Sequence, residues 1–367
     1  AVVAAAVQIA AFVPIELSDS VWLVSASGIA LAFTLLCTRG QWPQAAAPAM
    51  LHSPLLALGT LGLWVNQIDP AANGGWWAWP VALATHLAVL RWAAPSWPRL
   101  AQTSLHALGA LVLAALGALQ GRAVTATWGD ELSAWGWLGW LVVPAVMLML
   151  LLRPATARRW PLRALPWAYQ GAAAGVITAG LLLWTLLANV ASHGAARPLP
   201  YVPLLNPLDI GIGVAMLASW LWLQSAAARD TIALPRKLPA ALLGAVGFVW
   251  LNAMLVRGFH HFGDVPFRVD AWVRSLAVQT GITLLWASTA LVLMWLSARR
   301  TMRLPWMVGA ALLAAVVFKL LLIDLSGTGT VTRIVSFIGV GVLMLVIGYV
   351  APLPAQTASK GDGRATP

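Results

Sequence analysis

Gly136-Trp137-Leu138-Gly139-Trp140-Leu141-Val142-Val143-Pro144-Ala145-Val146-Met147-Leu148-Met149-Leu150-Leu151-Leu152 contains no charged side chain and no amide, and it stops at Arg153. A helix over these residues is long enough to cross most of a hydrocarbon core of about 30 Å. Blocks of the same kind recur along the whole chain, at roughly 1–17, 21–37, 50–68, 76–92, 101–120, 136–152, 166–190, 208–226, 239–256, 275–297, 305–325 and 333–350. Glu16 and Asp19 close the first of them. Composition agrees with this periodicity. A soluble domain has about a quarter of its residues charged; here 9% are charged, 60% are hydrophobic and the mean hydropathy is +0.83 over 367 residues. Strand-type alternation is missing, which argues against an outer-membrane barrel. The expectation is an all-α polytopic transmembrane helical bundle of about twelve spans.

The loops give that bundle an orientation. Connections after even-numbered spans hold Arg39; Arg91 and Arg99; Arg153, Arg158, Arg159 and Arg163; Arg229, Arg236 and Lys237; Arg299, Arg300 and Arg303; the tail adds Lys360 and Arg364. The opposite side has the sparser set Arg122, Arg197, Arg257, Arg268, Arg274 and Arg333, along with most of the acids. Basic residues in short loops stay cytoplasmic, so both ends of this piece are expected there. Residues 1–351 form the membrane domain, which divides at 1–163 and 164–351 if it has two halves. Residues 352–367 read as a disordered cytoplasmic tail. The first residue is Ala1, and no basic n-region or cleavage site follows it, so the chain reads as a piece whose own start is missing.

The net charge of +11 would suggest nucleic acid in a soluble protein. Here the arginines fall in loops between spans, so membrane lipids are the expected partner and nucleic acid is not. A single cysteine, Cys37, excludes intrachain disulfides and multi-thiolate metal sites. Many of the 22 tryptophans lie at span ends, where interfacial anchoring accounts for them. No phosphate-binding loop, His-Glu-x-x-His motif or nucleophile elbow is present, which weighs against an ATP-driven or hydrolytic machine in this segment. No cofactor and no metal are implied.

The polar residues that remain gather late in the chain, on the Arg-poor side. Asn206 and Asp209, in Asn206-Pro207-Leu208-Asp209, suit the N-terminus of the next helix as caps, with a ligand-facing Asp209 as the alternative. Arg257, His260, His261, Asp264, Arg268, Asp270 and Arg274 alternate with aromatic residues in an amphipathic stretch between spans, as in an interfacial helix. Adjacent histidines diverge by about 100° on a helix, so this pair is better suited to proton or anion handling than to holding one metal. Lys319 lies inside an apolar run, where an ionisable residue faces the bundle interior with a partner or snorkels outwards. Asp324 and Arg333 flank the loop beyond it, and Gln279 and Thr283 share one face of the tenth span. His52, His86 and His106 are isolated on apolar helices, and core hydrogen bonding is expected for each.

The stretch Lys319-Leu320-Leu321-Leu322-Ile323-Asp324-Leu325-Ser326, followed by Thr332-Arg333-Ile334-Val335-Ser336-Phe337-Ile338-Gly339-Val340-Gly341, resembles the C-terminal signature of a family of large bacterial multi-pass membrane proteins, the domain of unknown function 2339. Asn206-Pro207-Leu208-Asp209 and Gln279-Thr280-Gly281-Ile282-Thr283-Leu284-Leu285-Trp286 are similar to other recurring parts of it. Members are much longer, so the chain resembles a C-terminal portion. The resemblance implies the bacterial inner membrane and no established activity or catalytic residue. Three functions fit the residues. The favoured one is a transporter or flippase-like protein for an envelope-related anionic or lipid-linked substrate. The others are an enzyme modifying an envelope lipid or glycan, with His260 or His261 as base and Asp264 or Asp209 as partner, and a scaffold binding envelope proteins.

The orientation is testable by reporter fusions. Alkaline phosphatase joined within 192–206 should be active in whole cells, and the same fusion within 153–163 should be inactive; the reverse pattern would overturn the topology.

Overall fold

A computed structural model of the chain describes residues 15–225 and 237–320, together with positions 228, 230, 235, 338, 341 and 345. The last expected span, most of the first and the tail after 351 lie outside the described residues. The major helices are α1 (Ile15–Thr38), α2 (Pro43–Asn66), α3 (Gly75–Trp92), α4 (Arg99–Thr125), α5 (Ala134–Leu152), α6 (Trp167–Ala191), α7 (Pro207–Leu223), α8 (Leu238–Phe262), α9 (Val269–Arg274), α10 (Leu276–Arg299) and α11 (Arg303–Lys319). Seven of them are long and apolar enough to cross a membrane: α1, α2, α4, α5, α6, α8 and α10. α7 is a shorter apolar helix.

Each segment read between residues 21 and 325 falls on one of these helices, with informative shifts at the ends. The break expected near Asp19 is absent, because α1 already begins at Ile15. α2 has a hitch at its start, a 3₁₀ turn over Pro43–Ala45 followed by Ala46–Met50, before the regular run from His52. α8 runs past the expected end at 256 to Phe262, which moves Arg257 from a loop into a helix.

The chain divides into two compact units, Ala1–Arg257 and Gly258–Pro367. In the first, α4 packs on α5, α1 on α3, and α7 on both α5 and α6. Its main core is built largely from small residues, among them Ala110, Ala145, Ala168, Ala174, Ala188 and Ala215. Such residues let helix backbones approach closely in lipid, where no hydrophobic force draws helices together. Backbone meets backbone closely between α4 and α5. A Cβ on Gly121 would lie 2.3 Å from the Gly139 carbonyl oxygen, and one on Gly139 would lie 2.4 Å from that of Gly121. In the second unit α10 packs on α11 around Ala290, Met294 and Leu313.

The large apolar side chains point the other way. Leu183, Val190, Ile210 and Leu217 on α6 and α7 are each more than half exposed, as are Leu284 on α10 and Phe318 on α11. Only 33% of the apolar window of α5 is buried, at a mean hydropathy of 2.0. Surfaces of this kind are incompatible with water and natural in hydrocarbon. Tryptophans also brace the interior, which interfacial anchoring does not account for. The Trp184 indole N–H donates to the Trp137 carbonyl at 3.0 Å, and that of Trp222 donates to the Gln170 carbonyl at 2.7 Å. Gln170 lies in a π-helical turn over Trp167–Ala173, which opens α6 and disturbs the regular pairing of its carbonyls.

Replacing Gly121 or Gly139 with Leu should force α4 and α5 apart and destabilise the protein by about 1–3 kcal/mol or more. Leu at Gly180, whose Cβ would meet nothing, should be near neutral. Thermal unfolding in detergent measures both.

Candidate functional site

α6 ends at Ala191 and α7 begins at Pro207, and each leaves backbone groups without an intrahelical partner. Asn206 supplies the N-cap of α7: its side-chain oxygen accepts from the Leu208 N–H at 2.8 Å, while its amide donates to the Gly194 carbonyl at 2.6 Å. Capping therefore falls to Asn206 and not to Asp209. Asp209, in the first turn of α7, turns inward, where the Arg257 Nη1 meets its Oδ1 at 3.1 Å. Both side chains are fully buried. The Trp250 indole N–H reaches the same oxygen at 2.8 Å.

Arg257 spends its other donors on the end of α6. Its Nε donates to the Ser192 carbonyl at 3.1 Å, and its Nη2 to the Ala188 carbonyl at 3.2 Å and the Asn189 side-chain oxygen at 3.1 Å. One guanidinium thus satisfies orphan carbonyls at a helix C-terminus and pairs with a carboxylate at the next helix N-terminus. Each charge lies at the dipole end that favours it. Above the pair, Gly194 adopts φ +76°, and a Cβ there would come within 3.1 Å of Arg257 Cδ and 3.3 Å of the Tyr201 ring. Burial, helped by the Asp209 carboxylate, pushes the Tyr201 hydroxyl above its ordinary pKa, while Arg257 pulls the other way.

The connection between α4 and α5 closes on the same loop. Ser192 Oγ donates to the Leu132 carbonyl at 2.7 Å, the Ala134 N–H to the Ala195 carbonyl at 2.8 Å, and the Trp135 indole to the Arg197 carbonyl at 3.1 Å. His193 approaches Asp130 at 3.3 Å. The centre thus has a fixed roof. Within it, Asp209 Oδ2 accepts no hydrogen bond among the described residues. A buried carboxylate oxygen normally has a partner, and an unmet one is costly.

The second unit carries its own half-buried cation. Lys319 Nζ donates to Thr283 Oγ1 at 2.8 Å and to the Gln279 carbonyl at 3.3 Å. Its partners lie on the polar face of α10. The expected companions Asp324 and Arg333 lie outside the described residues. His260 Nδ1 lies 2.8 Å from the Val265 carbonyl, and the His260 and His261 rings have centroids 4.9 Å apart, closer than the 100° divergence suggested. Asp264 is exposed, in a left-handed turn at φ 53°. The amphipathic stretch holds the short helix α9, at whose start Arg268 and Asp270 pair at 2.8 Å in the open. That hydrogen bond holds the Asp270 carboxyl below its ordinary pKa.

Sequence reasoning singled out Asp209 and Arg257 but put them in separate clusters. It missed Asn189 and Trp250. The signal for Asn189 was an amide closing an apolar run, four residues after Thr185, whose carbonyl takes the Asn189 amide at 2.9 Å.

Helices this apolar, with large residues outward and an ion pair sealed among them, define a multi-pass integral membrane protein. Residues 1–354 match the family described as Predicted membrane protein (DUF2339), and the chain belongs to that family. No curated protein and no solved structure matches the chain.

Breaking the pair from either side leaves a buried charge uncompensated. Arg257→Met and Asp209→Asn should each destabilise by about 3–5 kcal/mol. The double variant should lose clearly less than the sum, because no stranded charge remains. Unfolding in detergent micelles reads this cycle, and simple additivity would show that the two side chains act independently.

Proposed function

We propose that the protein is a transporter or flippase-like protein of the bacterial inner membrane, moving an anionic or lipid-linked envelope substrate through a bundle of about twelve crossings with both ends cytoplasmic. One observation carries this reading. Asp209 engages Arg257 and Trp250 through a single oxygen and leaves the other, equally buried, without a hydrogen bond among the described residues. Buried ionisable groups inside helical membrane bundles commonly mark substrate and ion pathways. Arg257 presents the planar fork that suits a phosphate or carboxylate, and Asp209 is its resident counter-ion. Uptake of a proton at Oδ2 neutralises Asp209 and releases the guanidinium to an incoming anion. Loss of that proton restores the pair and expels the anion. Lys319 provides a further interior cation in the second unit.

The test uses liposomes with fluorescently labelled phosphatidylglycerol and a reducing agent that bleaches only the outer leaflet. Wild-type protein should make the inner-leaflet label accessible. The Arg257→Met/Asp209→Asn double variant should stay folded and lose this activity. Activity equal to protein-free liposomes, or unchanged in the double variant, would refute the assignment.

A further inference from the structure

Between the early part of α1, the end of α2 and the start of α3 lies a cavity of about 310 Å³, with the 68–73 turn as one wall. It shares no residue with the Arg257 centre and is independent of the exchange proposed there. Leu23, Leu63 and Ala78 line it together with the indoles of Trp22 and Trp79. Glycines on α2 make the room. A Cβ on Gly59 would come within 3.4 Å of the Trp79 ring, and one on Gly62 would meet nothing within 4 Å.

Among the described residues one charged side chain lines this cavity, Asp69. Its Oδ1 accepts from the Ala71 N–H at 2.8 Å, which fixes the carboxylate on the turn. Ser20, buried on α1, ties the turn down by donating to the Asn73 carbonyl. Asp69 Oδ2 accepts no hydrogen bond among the described residues and, unlike that of Asp209, keeps accessible surface. No ion pair among the described residues involves Asp69. The neighbouring polar groups are engaged within the protein: the Ser20 hydroxyl on Asn73, and the Asn66 amide on the Gly62 carbonyl at 2.8 Å.

We propose that this cavity binds an organic ammonium ion with a small apolar body. The ammonium would meet Asp69 Oδ2, and the body would lie among the indoles and leucines. The chemistry of the lining selects this class. An uncompensated carboxylate attracts a cation and repels an anion. Indole rings offer a cation a further favourable surface. A sugar would find few partners, because the Ser20 hydroxyl and the Asn66 amide are already bonded. One carboxylate supplies too few oxygens to hold a calcium or magnesium ion. A mostly apolar pocket with one placed charge suits a ligand that carries one charge on an apolar frame.

The probe is phenethylammonium, titrated calorimetrically into the full chain in a non-ionic detergent. Its alcohol 2-phenylethanol, the anion phenylacetate and glucose serve as controls. The expected result is saturable binding at one site, with little or none for the three controls. Asp69→Asn removes the charge and keeps an oxygen for the Ala71 N–H, so the turn survives. It should weaken binding by about ten- to a hundredfold, the loss of a hydrogen bond to a charged group. Gly62→Leu fills the cavity, leaves Asp69 in place and should abolish binding. Thermal unfolding identifies a variant that fails to fold, and Asp69→Asn alone then decides. Absence of saturable binding, equal binding of any control, or an affinity untouched by Asp69→Asn would overturn the proposal.

Discussion

One guanidinium holds the far end of the first unit together. Arg257, on α8, collects the last carbonyls of α6 and the first-turn carboxylate of α7, so three helices meet at a single buried group. Arg257 lies near the C-terminal end of α8 with its side chain fully buried, and a buried charge is tolerated only where partners meet it. Here the acceptors are two carbonyls, an amide oxygen and a carboxylate, and the loop 192–206 closes over them because Gly194 can adopt a positive φ. Asn206, Ser192 and Trp250 each fix one edge of the same arrangement.

The rest of the architecture follows from the solvent. In hydrocarbon, large apolar side chains gain nothing by turning inward, so they face lipid while alanines and glycines bring backbones together. The Gly121–Gly139 contact between α4 and α5 is one such approach. Packing of this kind leaves gaps wherever small residues do not match, and the cavity beside His86 is one of them. Polar side chains in such gaps are met by other parts of the bundle, as Lys319 is by Thr283 and His106 by Tyr169.

The helices were legible in the sequence because each is a local property: an apolar run punctuated by Arg, Pro or Gly. The membrane character followed from the same local logic. The partners themselves did not. Asp209 and Arg257 stand 48 residues apart, and nothing local says that the first turn of one helix meets the last part of another. A segment ending at 256 placed Arg257 in a loop, since arginine usually marks the end of a span; only the tertiary contacts show that α8 carries it inside. The histidines were readable as core hydrogen-bonding residues, and His52, His86 and His106 each make such a contact. That Asp69 shares a cavity with two indoles depends on the spacing of three helices, which no linear pattern encodes.

The most direct test of this account is solid-state NMR of the protein in lipid bilayers, with ¹⁵N-arginine and ¹³C-aspartate labels and Asp209→Asn for assignment. The account predicts a through-space cross-peak between the Arg257 guanidinium nitrogens and an ionised Asp209 carboxylate carbon, matching the 3.1 Å contact. If that cross-peak is absent while the helices remain intact, Arg257 and Asp209 do not form the centre on which the structure and its proposed function rest.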